Sequence, residues 1–143
     1  MNPLNILQLD LRAPLIYRKD AALSPFAHSN LAEDSLFCFD IAPEQDLSIE
    51  PDETQYLGEL LFAGTLALHP DTLPAPQSIE LPQGTYMFAQ VRELLDREGC
   101  IWMATEVQKE GLWQRFTLER RFYLRYLVEE GKTITQVFRP YRA

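Results

Sequence analysis

The sequence predicts an α+β domain built from duplicated βαββ units, with an antiparallel sheet and helices packed on one side. Three observations predict it. Leucines alternate with other residues near the start of the chain, one long amphipathic stretch follows Arg92, and alternating segments flank that stretch in the order β-α-β-β. The chain has 143 residues, 46% hydrophobic and 24% charged, so we expect one domain over residues 1–143, with halves at about 1–68 and 78–143.

The first half is predicted to contain strands around one short helix. Ser24 can cap a helix and Pro25 fits its first position, where no N–H is needed, so we expect a helix over Phe26–Glu33. Gly64 interrupts an apolar strand, which indicates either a bulge or a close backbone approach, for example by a ligand. The strands predicted for this half are Leu4–Leu11, with an extension at Leu15–Tyr17, then Ser35–Ile41 and Leu57–Leu68.

The second half shows the same order more clearly. A turn at Pro82–Gly84 leads into a strand, Arg92–Lys109 carries apolar residues at helical spacing, and Gly131 lies in a turn between two final strands. Gly99 indicates a kink or a later helix start, and Gly111 a helix stop. The predicted strands are Ser78–Leu81, Thr85–Val91, Arg120–Val128 and Thr133–Phe138, the last ended by Pro140.

The net charge of −8 is unevenly distributed along the chain. Residues 115–143 carry seven bases and three acids, and the remainder is strongly acidic. Solvated strand edges explain this asymmetry, and so does an anionic ligand or partner near the C-terminal hairpin. Because phosphate repels an acidic protein, we predict no nucleic-acid partner. No apolar run approaches the ~18 residues of a membrane span and no signal-peptide pattern is present, so we expect no membrane association and a cytoplasmic location.

Few residues suggest metal or covalent chemistry. Cys38 and Cys100 are predicted to be free, buried thiols in a reducing compartment. His28 and His69 have no partner at metal-ligand spacing, and the acid-rich segment Ala42–Gln55 lacks the spacing of a calcium loop. No nucleophile motif, phosphate loop or dinucleotide fingerprint occurs. We therefore predict no metal, no cofactor and no catalytic residue.

The stretch Ile79–Phe88, which reads Ile-Glu-Leu-Pro-Gln-Gly-Thr-Tyr-Met-Phe, resembles a strand motif of the GyrI-like effector-binding domain. The strand Leu57–Leu68 upstream and the helix and hairpin downstream fit that family's order. The closing hairpin departs from the family's usual ending, so the resemblance is either to the family or to a distinct subfamily. It implies a cleft between two βαββ halves, lined by aromatic residues, that holds a small and often cationic organic molecule. Glu119 is the nearest match to a glutamate that many members carry.

These observations together predict a stand-alone domain that binds a small organic ligand. The predicted ligand is a hydrophobic cation, and the protein is predicted to be a monomer or a homodimer. A small hydrolase on the same scaffold and a homodimerising interaction protein are the alternatives. Aromatic rings offer π-faces to cations, and a nearby carboxylate adds attraction. The predicted ligand-binding residues are Phe62, Tyr86, Trp102, Glu106, Trp113, Glu119 and Tyr126.

Each of these residues also has an ordinary structural explanation. Aromatic rings such as those of Trp102 and Trp113 build protein cores, and a helix glutamate such as Glu106 commonly faces solvent. Arg121 and Arg125 share one strand face, where they either bind a carboxylate or phosphate or pair with acids across strands. The sequence does not decide between these alternatives.

Overall fold

The computed structural model describes residues 4–20, 22–23, 25, 33–40, 59–67 and 77–142. Strands hold 58% of these residues and helix 18%, and they form a curled antiparallel half-barrel with one helix. The elements are β1 (Ile6–Leu11), β2 (Leu15–Lys19), β3 (Asp34–Asp40), β4 (Glu59–Leu66), β5 (Ser78–Leu81), β6 (Gly84–Val91), α1 (Arg97–Trp113), β7 (Thr117–Leu118), β8 (Arg121–Glu129) and β9 (Lys132–Arg142).

The predicted fold class, an α+β fold of duplicated βαββ units with helices on one side of a sheet, is therefore wrong. The sheet dominates because Leu15–Lys19 is a separate strand rather than an extension of β1. Of the predicted helix Phe26–Glu33 only Glu33 is described, and it is not helical; the predicted loop Ala42–Gln55 lies outside the described residues. Periodicity identified the strands but could not show how many of them share one sheet.

The sheet order is β1-β6-β9-β8-β3-β4-β2-β5, with β7 paired to the end of β9. All pairs are antiparallel. The order has an internal symmetry. If β1 is exchanged with β5, β2 with β6, β3 with β8 and β4 with β9, the same order is obtained, read from the other end. The first strand of each half therefore pairs with a strand of the other half: β1 pairs with β6 at one sheet margin, and β5 pairs with β2 at the other.

Two short connections force the sheet to curl. Leu11 ends β1 and Leu15 starts β2, and these four Cα steps span at most about 14 Å. The strands β1 and β2 lie six positions apart in the sheet order, which corresponds to about 29 Å in a flat sheet. The same separation applies to β5 and β6, joined between Leu81 and Gly84 over at most about 11 Å. Only a strongly curled sheet brings both pairs close enough.

The helix α1 packs on the outer face of the curled sheet. Asp96 caps it, since its Oδ1 accepts the backbone N–H of Gly99 at 2.9 Å. Its apolar stripe meets Met87, Ala89 and Val137 from the strands beneath, in one core cluster. The helix residues buried there recur at helical spacing: Cys100, Ile101, Met103, Ala104, Val107, Gln108 and Gly111.

The helix covers Arg97–Trp113 instead of the predicted Arg92–Lys109, and two predicted stop signals do not end their elements. Gly111 does not stop the helix but lies inside it, where a Cβ would come within 2.7 Å of Leu118 Cδ2. Pro140 does not end β9, because its carbonyl oxygen accepts the backbone N–H of Glu119 at 3.0 Å and it stays paired opposite Tyr86. Gly131 lies between β8 and β9, as the predicted turn requires, with a φ of 76°.

The inner face of the half-barrel holds a second core. It is rich in tyrosine, and its fully enclosed members include Tyr17 and Leu81 from β2 and β5 at one sheet margin and Leu36 from β3 near the centre. Tyr86 packs edge-on against Phe138 with ring centroids 5.7 Å apart. Cys38 and Tyr123 complete the buried set. Both cysteines are free and buried, as predicted.

A row of polar side chains crosses the inner face above this core. Arg125 donates from Nε and Nη2 to the two carboxylate oxygens of Asp34, at 2.9 and 2.7 Å, and Tyr17 Oη donates to Oδ1 at 2.9 Å. Arg125 Nη1 also donates to Gln136 Oε1, and Gln136 Nε2 donates to Gln90 Oε1 at 3.0 Å. This inner polar row links five strands of the sheet.

Gly64 lies where β4 is approached closely by its neighbours. A Cβ there would lie 2.6 Å from the Arg18 carbonyl oxygen and 2.7 Å from Ile79 Cδ1. The close approach predicted for this glycine is made by the backbone of β2. A β-bulge also occurs nearby, between Cys38 and Phe39 in the pairing of β3 with β4.

We expect Gly64→Ala to lower the free energy of unfolding by about 1–3 kcal/mol, because the added methyl group collides with backbone. Gly111→Ala is the matched comparison, since its methyl group meets only the end of the Leu118 side chain. It should change stability by less than about 1 kcal/mol, helped by the helix propensity of alanine. Urea denaturation measures both; equal losses would contradict this account.

We expect Arg125→Met to cost about 3–5 kcal/mol, because it leaves the Asp34 carboxylate, only 7% exposed, buried without its cation. The double variant Asp34→Asn/Arg125→Met should recover part of this loss, since the orphaned charge is then absent. Exposed Arg18→Met is the control, with an expected change within about 0.5 kcal/mol. Denaturation that shows no recovery in the double variant would refute the ion-pair explanation.

Candidate functional site

A small cavity opens at the end of the half-barrel where the β5–β6 turn joins the two margins. Its volume is about 230 Å³. Three tyrosines and a carboxylate characterise it, and we call it the tyrosine pocket. It is lined by Pro82, Gln83, Gly84, Thr85, Tyr86, Glu119, Tyr123, Pro140 and Tyr141.

Two hydroxyl donors of the tyrosine pocket are engaged by the protein itself. Tyr86 Oη donates to the carbonyl oxygen of Pro82, and Thr85 Oγ1 donates to the carbonyl oxygen of Tyr141 at 3.2 Å. Each hydroxyl oxygen then keeps lone pairs that can accept a hydrogen bond. Together with the Glu119 carboxylate, these oxygens make the pocket a surface of acceptors, which suits a ligand that carries N–H donors.

Glu119 is held in place through its backbone. Its N–H donates to the carbonyl oxygen of Pro140 at 3.0 Å, and its own carbonyl oxygen accepts from Arg139 Nε at 2.6 Å. Arg139 is itself buried and also donates to Gln108 of α1 at 3.3 Å. The exposed carboxyl group of Glu119 is therefore carried on a backbone segment that is anchored to both β9 and the helix.

A second, more open depression adjoins the tyrosine pocket and shares Glu119 with it. This groove has a volume of about 720 Å³ and contains three arginines, so we call it the arginine groove. Arg120 donates to Asp40 Oδ2 at 2.9 Å. Within the described part of the chain, no ion pair joins Arg121 or Arg142 to a carboxylate. The groove is lined by Asp40, Leu61, Leu118, Glu119, Arg120, Arg121 and Arg142.

A third depression of about 760 Å³ lies outside the sheet, at the start of α1, and includes Trp102. Glu93, Asp96 and Glu98 line it as well. The Asp96 carboxylate already caps the helix, and the positive end of the helix dipole points toward this region. The helix dipole disfavours a bound cation here. Although this depression contains acids and a tryptophan, the tyrosine pocket is therefore the better cation site.

The structure brings two of the predicted ligand-binding residues together, Tyr86 and Glu119, in the tyrosine pocket. Phe62 lies half-buried beside the inner core and faces the same side of the sheet. Tyr126 lies on the opposite face, buried under the helix, with its Oη 3.3 Å from Cys100 Sγ. The first three residues share one side of the sheet, and Tyr126 belongs to the outer core.

The remaining predicted residues lie on or near the outer helix. Trp102 borders the depression at the helix start, and Glu106 Oε1 lies 4.0 Å from Lys109 Nζ on the helix surface. Trp113 ends the helix with 83% of its surface exposed. Of the two explanations offered for the arginines, Arg125 pairs with Asp34 across strands. Arg121 instead lines the arginine groove.

Sequence reasoning missed three residues of this region, Tyr123, Tyr141 and Arg142. Alternation placed Tyr123 on the strand face shared with Arg121 and Arg125, which was the available signal for it. Tyr141 and Arg142 follow Pro140, which was expected to end the strand. They enter the site because β9 continues to pair with β7, Thr117 opposite Arg142 and Leu118 opposite Tyr141.

Burial keeps the thiol and phenol groups of the inner core protonated. It raises the pKa of Cys38 to about 12, against a weaker lowering by Arg121. Burial likewise raises the pKa of Tyr123 to about 12, and the pKa of Tyr86 rises for the same reason. Each shift moves the group further from neutral pH, so none of them prepares a nucleophile or base for reaction near pH 7.

The chain matches no protein-family model, and no curated protein is detectably similar to it. The GyrI-like resemblance therefore stays a prediction. In the residues that the structure describes, no group of three or more His, Cys, Asp or Glu side chains is placed to hold a metal ion. None of the described helices is long and apolar enough to cross a membrane.

We expect the free energy of unfolding to fall as pH rises from about 8.5 to about 12. The folded-state pKa values of Cys38, Cys100 and Tyr123 are each raised to about 12. In the unfolded chain these groups lose their protons near ~8.5 and ~10. A group with a raised folded-state pKa contributes its full stabilisation when the pH is below its pKa in the unfolded chain. This stabilisation is lost as the pH rises toward and through its pKa in the folded state.

Urea denaturation across this pH range measures the effect. The variant Cys38→Ala/Cys100→Ala should show a flatter decline between about pH 8.5 and about pH 10, where only the thiols titrate in the unfolded chain. A wild-type stability that stays constant up to about pH 11 would contradict the burial of these groups.

Proposed function

We propose that this chain is a small-molecule-binding domain of the GyrI-like kind, and that its ligand is a small organic cation held in the tyrosine pocket. The observation that carries the proposal is the composition of that pocket. Tyr86 and Tyr123 supply aromatic rings from the inner core, and Glu119 supplies the only acidic side chain among the lining residues. Tyr141 also lines the pocket, while its ring stacks on Phe116. Aromatic π-faces and a carboxylate both attract a positive charge.

The hydrogen-bond pattern supports an amine rather than a quaternary ammonium group. Because Tyr86 and Thr85 donate their hydroxyl hydrogens to backbone carbonyl groups, the pocket offers acceptors to a ligand. An ammonium group carries three N–H donors, whereas a quaternary nitrogen has none. Arg121 lies beside Tyr123, so the cationic group is expected on the Glu119 and Tyr141 side of the pocket.

The size of the pocket limits the ligand. Its volume of about 230 Å³ is below the ~300–1,000 Å³ typical of drug-sized ligands. A short alkyl or single-ring amine fits this volume, and a large polycyclic cation does not. A cytoplasmic location and a monomeric or homodimeric state belong to the same proposal; the two buried free thiols favour a reducing compartment.

We expect n-butylamine to bind and the uncharged n-butanol to bind much more weakly, because only the amine is attracted by Glu119. Glu119→Gln should weaken n-butylamine binding by about threefold to tenfold. Isotope-edited NMR titration measures both, and the signals of Tyr86, Tyr123 and Tyr141 should move with ligand concentration.

Glu106→Gln is the matched control, since this glutamate lies on the helix surface beside Lys109 and outside the tyrosine pocket. It should leave the affinity for n-butylamine unchanged. Equal binding of n-butylamine and n-butanol, or shifts confined to residues around Trp102, would refute the proposed site.

A further inference from the structure

The tyrosine pocket and the arginine groove are two parts of one continuous surface. Glu119 lines both of them. On β9, Tyr141 lines the pocket and its neighbour Arg142 lines the groove. Consecutive Cα atoms are only ~3.8 Å apart. A ligand with two functional groups separated by a few bonds can therefore reach both parts at once.

The two parts have opposite chemistry. The pocket offers aromatic rings, acceptor oxygens and a carboxylate, whereas the groove gathers Arg120, Arg121 and Arg142 in a protein whose net charge is −8. Asp40 engages Arg120, and Arg121 is hydrogen-bonded to Tyr123. Because a guanidinium group has five N–H donors, Arg121 and Arg142 still have donors for a ligand. Guanidinium groups bind carboxylate and phosphate oxygens with paired N–H donors.

From this arrangement we infer that the ligand is zwitterionic, with an amine in the tyrosine pocket and an oxyanion, a carboxylate or a phosphate, on Arg121 and Arg142. The inference rests on the proposed function and specifies the ligand class for that site. Glu119 lies at the boundary, where its carboxylate attracts the amine and repels the oxyanion. This polarity selects one orientation of the ligand.

The position of Arg142 follows from the pairing of β7 with the end of β9. Thr117 and Leu118 pair with Arg142 and Tyr141, which keeps this strand end in register beside Glu119. Leu118 also packs against Gly111 of the helix. The short strand β7 thus connects the lining residues of the groove to the helix and the sheet.

The test is a titration of the full chain with n-butylamine, butyrate, and ω-amino carboxylates from β-alanine to 6-aminohexanoate. At one chain length of this series, the zwitterion should bind about tenfold more tightly than n-butylamine, as hydrogen bonds to a charged group imply. Aminoalkyl phosphates of the same lengths show which oxyanion the groove prefers. The gain should shrink as salt is added, because exposed charges are screened.

Arg121→Gln and Arg142→Gln should each remove most of that gain without weakening the binding of n-butylamine. Arg18→Gln, an exposed arginine on another strand, is the control and should retain the gain. Both groove arginines are exposed, so unchanged melting temperatures should accompany these variants.

The possible failures are distinguishable. If n-butylamine binds but no zwitterion binds more tightly, or if the gain survives in Arg121→Gln and Arg142→Gln, the zwitterion inference is overturned and the proposed amine site stands. If neither n-butylamine nor any zwitterion binds, both are overturned.

Discussion

The structure depends on two short connections that cannot be made in a flat sheet. The links from Leu11 to Leu15 and from Leu81 to Gly84 each join one margin of the sheet to a strand near the other. They curl the sheet, and the curl encloses one face while the helix covers the opposite face. The aromatic inner core and the inner polar row lie on the enclosed face. The tyrosine pocket opens at the end of that face, where the Tyr141 ring stacks on Phe116 on the helix side.

The enclosed face combines an apolar core with the inner polar row, which favours one register of the strands. Tyrosine rings fill the interior, and the ion pair of Asp34 with Arg125 joins β3 to β8 at the middle of the sheet. Burial disfavours the charge of Arg125, but hydrogen bonds and charge interactions with Asp34 and Tyr17 together outweigh this effect, so the pKa of Arg125 lies above its usual value. Such a pair favours one strand register, because a slip would leave both charges buried without partners.

The candidate site lies where the curl brings strand ends from distant parts of the chain together. The start of β6 supplies Tyr86, the segment between β7 and β8 supplies Glu119, and the end of β9 supplies Tyr141 and Arg142. Sequence reasoning selected Tyr86 and Glu119, from a strand motif and from a family resemblance. It could not select Tyr141 and Arg142, because proline at 140 suggested a strand end and only tertiary pairing with β7 extends the strand. Trp102 and Trp113 were conspicuous by residue type, yet both lie on the outer helix.

The sequence by itself determined the secondary structure of most described segments, since alternation at Leu7 to Leu11 or Phe122 to Val128 depends only on which residues favour burial. It did not determine the cap at Asp96, which lies inside the predicted helix Arg92–Lys109, because capping depends on local backbone geometry. Only the tertiary structure decided that Leu15–Lys19 leaves β1 for the opposite side of the sheet, that one sheet dominates the fold, and that aromatic, acidic and basic residues meet at one end. Strand order is set by contacts between residues far apart in sequence, and a periodic pattern carries no information about its partner.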